Sequence, residues 1–207
     1  MKLRPVLLAV AASLLTGVLV SQAQVPGINS TLQSVFTLAY DQSTMKPTYS
    51  STINGVTPAA SATDVCALSG SATKTIKVRR IIVNGFTNGV AVAEPVTILR
   101  RSTIYAGAGS SPVETAYDSS NSAATAVAEV WTANPTVGTL VGLLADISVL
   151  FPAGTALAPA TVFEFGRLGS PVVLRGVAQS VAVNLSGITI AGTLGCTFEW
   201  TEDSDAL

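Results

Sequence analysis

An all-β fold, with two sheets packed as a β-sandwich of jelly-roll type, is what the sequence predicts, on three observations. From residue 48 to residue 202 the chain repeats one theme, short β-branched runs divided by clusters of Gly, Pro, Asn and Ser, which is the spacing of a sandwich or barrel. The carboxy-terminal runs alternate apolar and polar residues with a period of two. The runs number about ten, more than one sheet comfortably holds, so two packed sheets are expected and a jelly roll is their expected connectivity. No repeat of 20 to 50 residues is visible, which argues against propellers and solenoids.

At the amino terminus Lys2 and Arg4 precede an apolar run from Val6 to Val20, and Ser21-Gln22-Ala23 follows with small residues at peptidase spacing. These three parts read as a secretory signal peptide over residues 1–23, cleaved after Ala23. A retained anchor would need roughly 20 apolar residues, and this shorter run carries Ser13, Thr16 and Gly17. No Cys lies near the cleavage site for lipid attachment. Residues 24–47 form a leader rich in Gln, Ser, Thr and Pro. Within it Leu32, Ser34, Phe36, Leu38 and Tyr40 share one face of an extended segment, so a strand is expected at 32–40.

Residues 48–207 are the expected sandwich domain, with strands at 48–57, 63–69, 74–86, 90–101, 124–133, 139–151, 160–166, 171–175, 179–186 and 194–202. The last is the clearest: Cys196, Phe198 and Trp200 alternate with Thr197, Glu199 and Thr201. Val181, Val183 and Leu185 alternate in the same way, and Phe163 and Phe165 flank Glu164. Two stretches also fit a helix. Leu140, Leu143, Leu144, Ile147 and Phe151 lie at helical spacing, as do Ala124, Val127, Ala128 and Trp131. Gly138 and Gly142 each weaken a helix by up to about 1 kcal/mol, so both stretches are read as strands.

Only 11% of the residues are charged. Of the 11 basic residues, Lys2 and Arg4 leave with the signal, so nine face 12 acidic ones, a formal charge of −3. Nucleic acid and, after signal cleavage, membrane are poor partner expectations, because both call for a basic face. A surface so poor in charge suits a subunit that buries much of itself against copies of itself, as a homo-oligomer or filament. Cys66 and Cys196 read as a disulfide in an oxidising compartment, worth about 5 kcal/mol in the loop-entropy picture; the alternative is two buried free thiols.

Catalytic chemistry is mostly missing. The chain has no His, so Ser-His-Asp and Cys-His arrangements and imidazole metal sites cannot be assembled. No metal site and no cofactor are expected. Ser43-Thr44-Met45-Lys46 and Ser71-Ala72-Thr73-Lys74 fit an S-x-x-K pattern but lack the S-D-N and K-T-G partners. Glu94, Glu114, Asp118, Glu129, Asp146, Glu164 and Glu199 are available as carboxylates, and nothing in the sequence pairs two of them as glycoside hydrolysis requires. Glu202, Asp203 and Asp205 are expected to be a frayed, solvated tail. Asn29-Ser30-Thr31 and Asn184-Leu185-Ser186 are formal glycosylation sequons.

Arg79-Arg80 and Arg100-Arg101 stand out. Strand neighbours point to opposite faces, so one Arg of each pair would face inward unless a bulge intervenes. An inward Arg needs a carboxylate or carbonyl partner, with Glu94, Glu164 or an acidic residue of a neighbouring subunit as candidates; strand ends reaching water are the alternative. Tyr105, Tyr117 and Trp131 cluster in one loop-rich region and are the candidate aromatic platform for a glycan.

The run Pro171-Val172-Val173-Leu174-Arg175-Gly176-Val177-Ala178-Gln179-Ser180-Val181-Ala182-Val183-Asn184-Leu185, a strand, tight turn and alternating strand, resembles jelly-roll proteins of tailed-phage virions and bacterial surfaces. Ala72-Thr73-Lys74-Thr75-Ile76-Lys77-Val78-Arg79-Arg80-Ile81 is similar to their early core strand. The resemblance implies a structural or receptor-binding subunit, often oligomeric; the signal peptide points to an exported bacterial version, secreted, periplasmic or on the cell surface. The leading expectation is thus a non-catalytic, self-associating subunit of a fibre, appendage or coat, its leader strand (Leu32, Phe36, Leu38, Tyr40) adding to the next copy's open edge or, equally, covering the edge of its own domain. A secreted carbohydrate-binding or receptor-binding module is the alternative, and a hydrolase with two converging carboxylates the third.

Overall fold

Eleven strands build the domain, with no helix among the described residues. A computed structural model of the chain describes residues 46–107, 109–154, 159–166 and 170–203. The signal segment, the leader through residue 45 with Leu32, Phe36, Leu38 and Tyr40, the sequon at Asn29, and Asp205 lie outside the described residues. The strands are β1 (Thr48–Val56), β2 (Ala62–Ser69), β3 (Thr75–Thr87), β4 (Val92–Arg101), β5 (Glu114–Ala116) and β6 (Val127–Val130). They continue as β7 (Leu140–Phe151), β8 (Thr161–Glu164), β9 (Val172–Arg175), β10 (Ser180–Ile188) and β11 (Gly192–Asp203). Each expected run contains a strand, and both helix-spaced stretches are extended. The three-residue β5 has no counterpart in the sequence reading.

All the ladders are antiparallel. The first sheet runs β5-β1-β11-β3, with β8 and β9 sharing the far edge of β3, and the second runs β6-β2-β10-β4-β7. If β8 and β9 count as one interrupted strand, the long strands pair first with last (β1·β11) and second with second-last (β2·β10). The inner strands follow suit, β3 with β8 and β9, and β4 with β7. That nesting is jelly-roll connectivity. It also shows that the strand-turn-strand at 171–185 is not a hairpin, since β9 pairs β3 in one sheet while β10 pairs β2 and β4 in the other. Gly176, at φ +74°, makes the corner between them, a left-handed backbone that a side chain would strain.

Inward residues of both sheets form the main core, with Tyr49, Phe151, Phe198 and Trp200 among its fully buried side chains. Tyr49 stacks on Trp200 with ring centroids 5.9 Å apart, and its hydroxyl donates to the Ser122 carbonyl. Cys66 of β2 and Cys196 of β11 are disulfide-bonded, tying one sheet to the other through the core across 130 residues of sequence.

The carboxy-terminal acids are not a frayed tail. β11 continues to Asp203, paired with Thr75, and the side chains of Glu202 and Asp203 are fully buried. Glu202 Oε1 accepts from the Thr125 and Ala126 amides and the Trp200 indole at 2.8, 3.0 and 3.2 Å. Its Oε2 accepts from the Thr125 hydroxyl at 2.8 Å and lies 3.4 Å from Lys74 Nζ. Asp203 pairs with Lys46 and Lys77. The tail is a clamp that fastens residues 125–126 and the start of β3 to the end of the sheet.

Candidate functional site

The two Arg pairs resolve differently. In β3 the inward residues are Ile76, Val78, Ile81 and Val83, all fully buried; the alternation slips between Val78 and Ile81. There the ladder to β11 steps from Arg80↔Glu199 to Val78↔Trp200, skipping Arg79. Arg79 is the extra residue of a β-bulge, a device that re-aims a side chain, so Arg79 and Arg80 both face the outside of the first sheet. Arg80 Nε and Nη2 hold Glu199 Oε2 at 2.9 and 2.8 Å, which raises the guanidinium pKa. Arg80's partner is therefore Glu199, its cross-strand neighbour, rather than Glu94; Glu164 stands opposite it in β8.

In β4 the alternation is regular. Arg100 lies on the inner side and reaches across to the first sheet, where Nη2 donates to the Val173 carbonyl at 3.0 Å and to Gln179 Oε1 at 3.1 Å. Arg101 lies on the outer side, 7% exposed, and grips Asp64 through Nε at 2.6 Å and Nη2 at 2.9 Å. Asp64 also accepts from Tyr105 Oη at 2.8 Å and from Asn184 Nδ2. The Asp64 hydrogen bond holds Arg101 still more firmly protonated. Burial, with the Asp64 charge behind it, pushes the Tyr105 phenol well up. This is an internal network on the outer face of the second sheet, and three of the four Arg candidates, Arg80, Arg100 and Arg101, are held by partners within the chain. Asn184, 9% exposed, is part of it, so the second sequon lies within the fold.

The aromatic platform is not assembled. Trp131, 2% exposed, packs with Ala67, Leu99 and Ala182 in a small second core over the outer face of the second sheet. Tyr105 covers it, ring centroids 4.7 Å apart. Gly138 is required here: a Cβ would sit 2.1 Å from the Thr103 carbonyl, and the Gly138 carbonyl accepts from Arg101 Nη1. Tyr117, 60% exposed, stands apart, just after β5 of the first sheet.

Tyr117 instead marks one end of a groove of about 370 Å³ that crosses the outer face of the first sheet. Arg79 and Arg80 of β3, Glu199 of β11, Glu164 of β8 and Phe165 line it. A second depression of about 210 Å³ continues from it, sharing Arg79 and Phe165 and closed by Gly166 and Pro171. The groove exists because the far edge of β3 is interrupted. β8 ends opposite Arg80 and β9 begins opposite Val78, so no strand residue faces Arg79. Burial and the neighbouring Glu199 carboxylate together raise the Tyr117 phenol pKa. Glu164 and Glu199 both line this groove, which the sequence could not show, and Arg80 pairs with one oxygen of Glu199, Oε2. Asp64 went unnoticed in the sequence, and Phe165 was read only as a strand residue flanking Glu164; the slipped alternation in β3 is the legible signal of the bulge.

Other candidates have structural roles. Ser71 Oγ, buried, accepts from the Thr73 and Lys74 amides at 3.1 and 3.2 Å, and Lys74 pairs with Glu202. That S-x-x-K is thus a turn and an ion pair. Lys46 of the other match pairs with Asp203. Glu114 accepts from the Ala128 amide, Asp146 from the Thr97 hydroxyl, and Asp118 from Ser120. Among the described residues no three His, Cys, Asp or Glu side chains group as a metal site.

Among the described residues one long edge remains open. There β7 pairs with β4 alone, over its whole length. Leu140, Val141, Leu143 and Leu150 are each more than half exposed, and Leu144 and Ile147 are 37% and 40% exposed. No protein-family model, no curated protein and no solved structure matched the chain in comparisons with known proteins.

Proposed function

We propose that this chain is a non-catalytic, exported structural subunit that self-associates in a fibre, appendage or coat, through the open β7 edge. The carrying observation is the contrast between edges. β5 has three residues, β6 four, and β8 and β9 four each with a break between them, all devices that blunt an edge. β7 has 12 residues, is apolar on both faces and carries a single charge, Asp146. A long, apolar, unpaired strand of this kind is a template for another strand.

The partner strand we assign is the leader of a second copy. Residues 32–40 alternate so that Leu32, Phe36, Leu38 and Tyr40 share a face, and an added strand gains main-chain hydrogen bonds as well as apolar contacts. The disulfide and the amino-terminal signal support export, and the likeness of residues 72–81 and 171–185 to virion and surface jelly rolls supports a building role.

Mass in solution tests it, measured by light scattering on residues 24–207. The mature chain is expected to form oligomers. Leu143→Lys with Leu150→Lys, two charges on the exposed edge, should leave monomers. Deleting residues 24–40 should do the same if the leader is the donor; persistent oligomers would mean that β7 pairs with β7. A mature chain that stays monomeric at high concentration would sink the proposal.

A further inference from the structure

We propose that the groove across the outer face of the first sheet binds an acidic saccharide. Arg79 would take the sugar carboxylate, Tyr117 would lie against a pyranose face, and Glu164 and Glu199 would accept hydroxyl protons.

Nearly every described cation has a partner within the chain. Lys46 and Lys77 are paired with Asp203, Lys74 with Glu202, Arg80 with Glu199 and Arg101 with Asp64. Arg100 donates to Val173 and Gln179, and Arg175 to Thr75. Among the described basic residues, Arg79 is the one whose side chain makes no such bond. A chain this sparing of charge nonetheless adds a bulge to β3 that turns Arg79 outward, at the point where both depressions meet. Bulges recur beside binding and catalytic sites for this purpose.

The walls select the ligand. A guanidinium fork matches a carboxylate, and a single uncommitted Arg answers a single negative charge. Glu164 and Glu199 close by would repel a phosphate or a polyanionic peptide, yet carboxylates are strong acceptors for hydroxyl groups. An exposed tyrosine ring gives the apolar surface that a sugar face needs, with the hydroxyl as a polar handle. The volume, about 370 Å³ with about 210 Å³ adjoining, lies within the range of small-molecule sites. One carboxylate, several hydroxyls and an apolar face together describe a uronic or sialic acid unit. This site is on the sheet opposite to β7, so it stands or falls independently of self-association.

The test is calorimetric titration of the mature chain with trigalacturonic acid and with 3′-sialyllactose. Their carboxyl-reduced counterparts and a poly-glutamate peptide serve as comparisons. At least one acidic sugar is expected to bind, with the reduced form weaker by roughly tenfold or more, the worth of one charge-assisted contact. Arg79→Gln should lose a similar factor and Tyr117→Ala a comparable one, while Arg79→Lys keeps the charge without the fork and falls between. Arg79 and Tyr117 are exposed, so melting temperatures should match the parent's and separate lost binding from lost folding. Absence of binding to both acidic sugars at millimolar concentration, unchanged affinity in Arg79→Gln, or equal binding of poly-glutamate would each overturn the assignment.

Discussion

Replacing Glu202 with Gln tests whether the carboxy-terminal clamp holds the domain together. The side chain is fully buried, and its Oε1 accepts from three N–H donors, Thr125, Ala126 and Trp200. A hydrogen bond to a charged acceptor is worth about 1.5–3 kcal/mol and a neutral one about 1, so neutralising Oε1 weakens three bonds by roughly 1 kcal/mol each. The Thr125 hydroxyl can turn to accept from the new amide, but Lys74, at 3.4 Å and partly solvated, loses its counter-charge; screening keeps that loss below about 1 kcal/mol. The total is about 3–4 kcal/mol at neutral pH, or a fall in melting temperature of roughly 10 °C. The pH dependence sharpens the test. Burial alone would raise the Glu202 pKa, and the bonds from Ala126, Thr125 and Trp200 outweigh it, leaving the carboxyl below its ordinary value. Asp203 is likewise lowered, burial being outweighed by Lys46 and Lys77. Depressed folded-state values favour the ionised form, so this stability is fully present above the unfolded carboxylate range near pH 4 and is lost as pH falls through the folded values. Glu129, raised by burial, acts with the opposite sign but equally in both proteins. Urea unfolding from pH 7 to pH 3 should therefore show the gap between parent and Glu202→Gln narrowing as the acid side is approached. A gap under about 1 kcal/mol at pH 7, or one that does not narrow, would refute the clamp.

Two further outcomes follow from buried groups. Reducing the Cys66–Cys196 bridge, or replacing both residues with Ala, should cost about 2–5 kcal/mol and lower the urea midpoint, because the bond closes a loop of 130 residues. Asp64→Asn should cost about 3–5 kcal/mol by thermal unfolding, since it leaves the guanidinium of Arg101 buried without its counter-charge, whereas Asp118→Asn on the exposed loop should be near neutral.

The fold was legible where polarity alternates. β10 and β11 alternate because the face of each that sits in the main core is apolar while the other carries small or polar residues, and the disulfide pairing was legible because an even pair in an oxidising setting has few alternatives. β5 was missed because three residues in a Ser- and Pro-rich stretch carry no period. The frayed-tail expectation failed because an acidic end reads as solvated unless its cation partners are known. Lys46, Lys74 and Lys77 reach Glu202 and Asp203 only through the pairing of the first strands with the last. The groove was illegible for the same reason: Tyr117, Arg79, Glu164 and Glu199 come from β3, β8, β11 and the segment after β5, and no local pattern joins them.

Of the two stretches that also fit a helix, residues 139–151 are ambiguous for a physical reason that bears on function. A strand half-buried in a sandwich alternates; β7 does not, because apolar residues stand on both of its faces, and that surplus contains a set at helical spacing. Val149 and Phe151 enter the core, while Leu143 and Leu150 on the same strand remain more than half exposed. Ladder shifts between Ile98 and Leu99 and between Arg100 and Arg101 break the period further. A monomer gains nothing from Leu at so many exposed positions, and an edge strand ordinarily carries Lys or Pro there against unwanted pairing. Such an edge exposes an isolated domain to aggregation, and the partner strand proposed above would cover it. The loss of alternation that makes β7 hard to read from sequence is the same apolar surplus that a partner strand would bury.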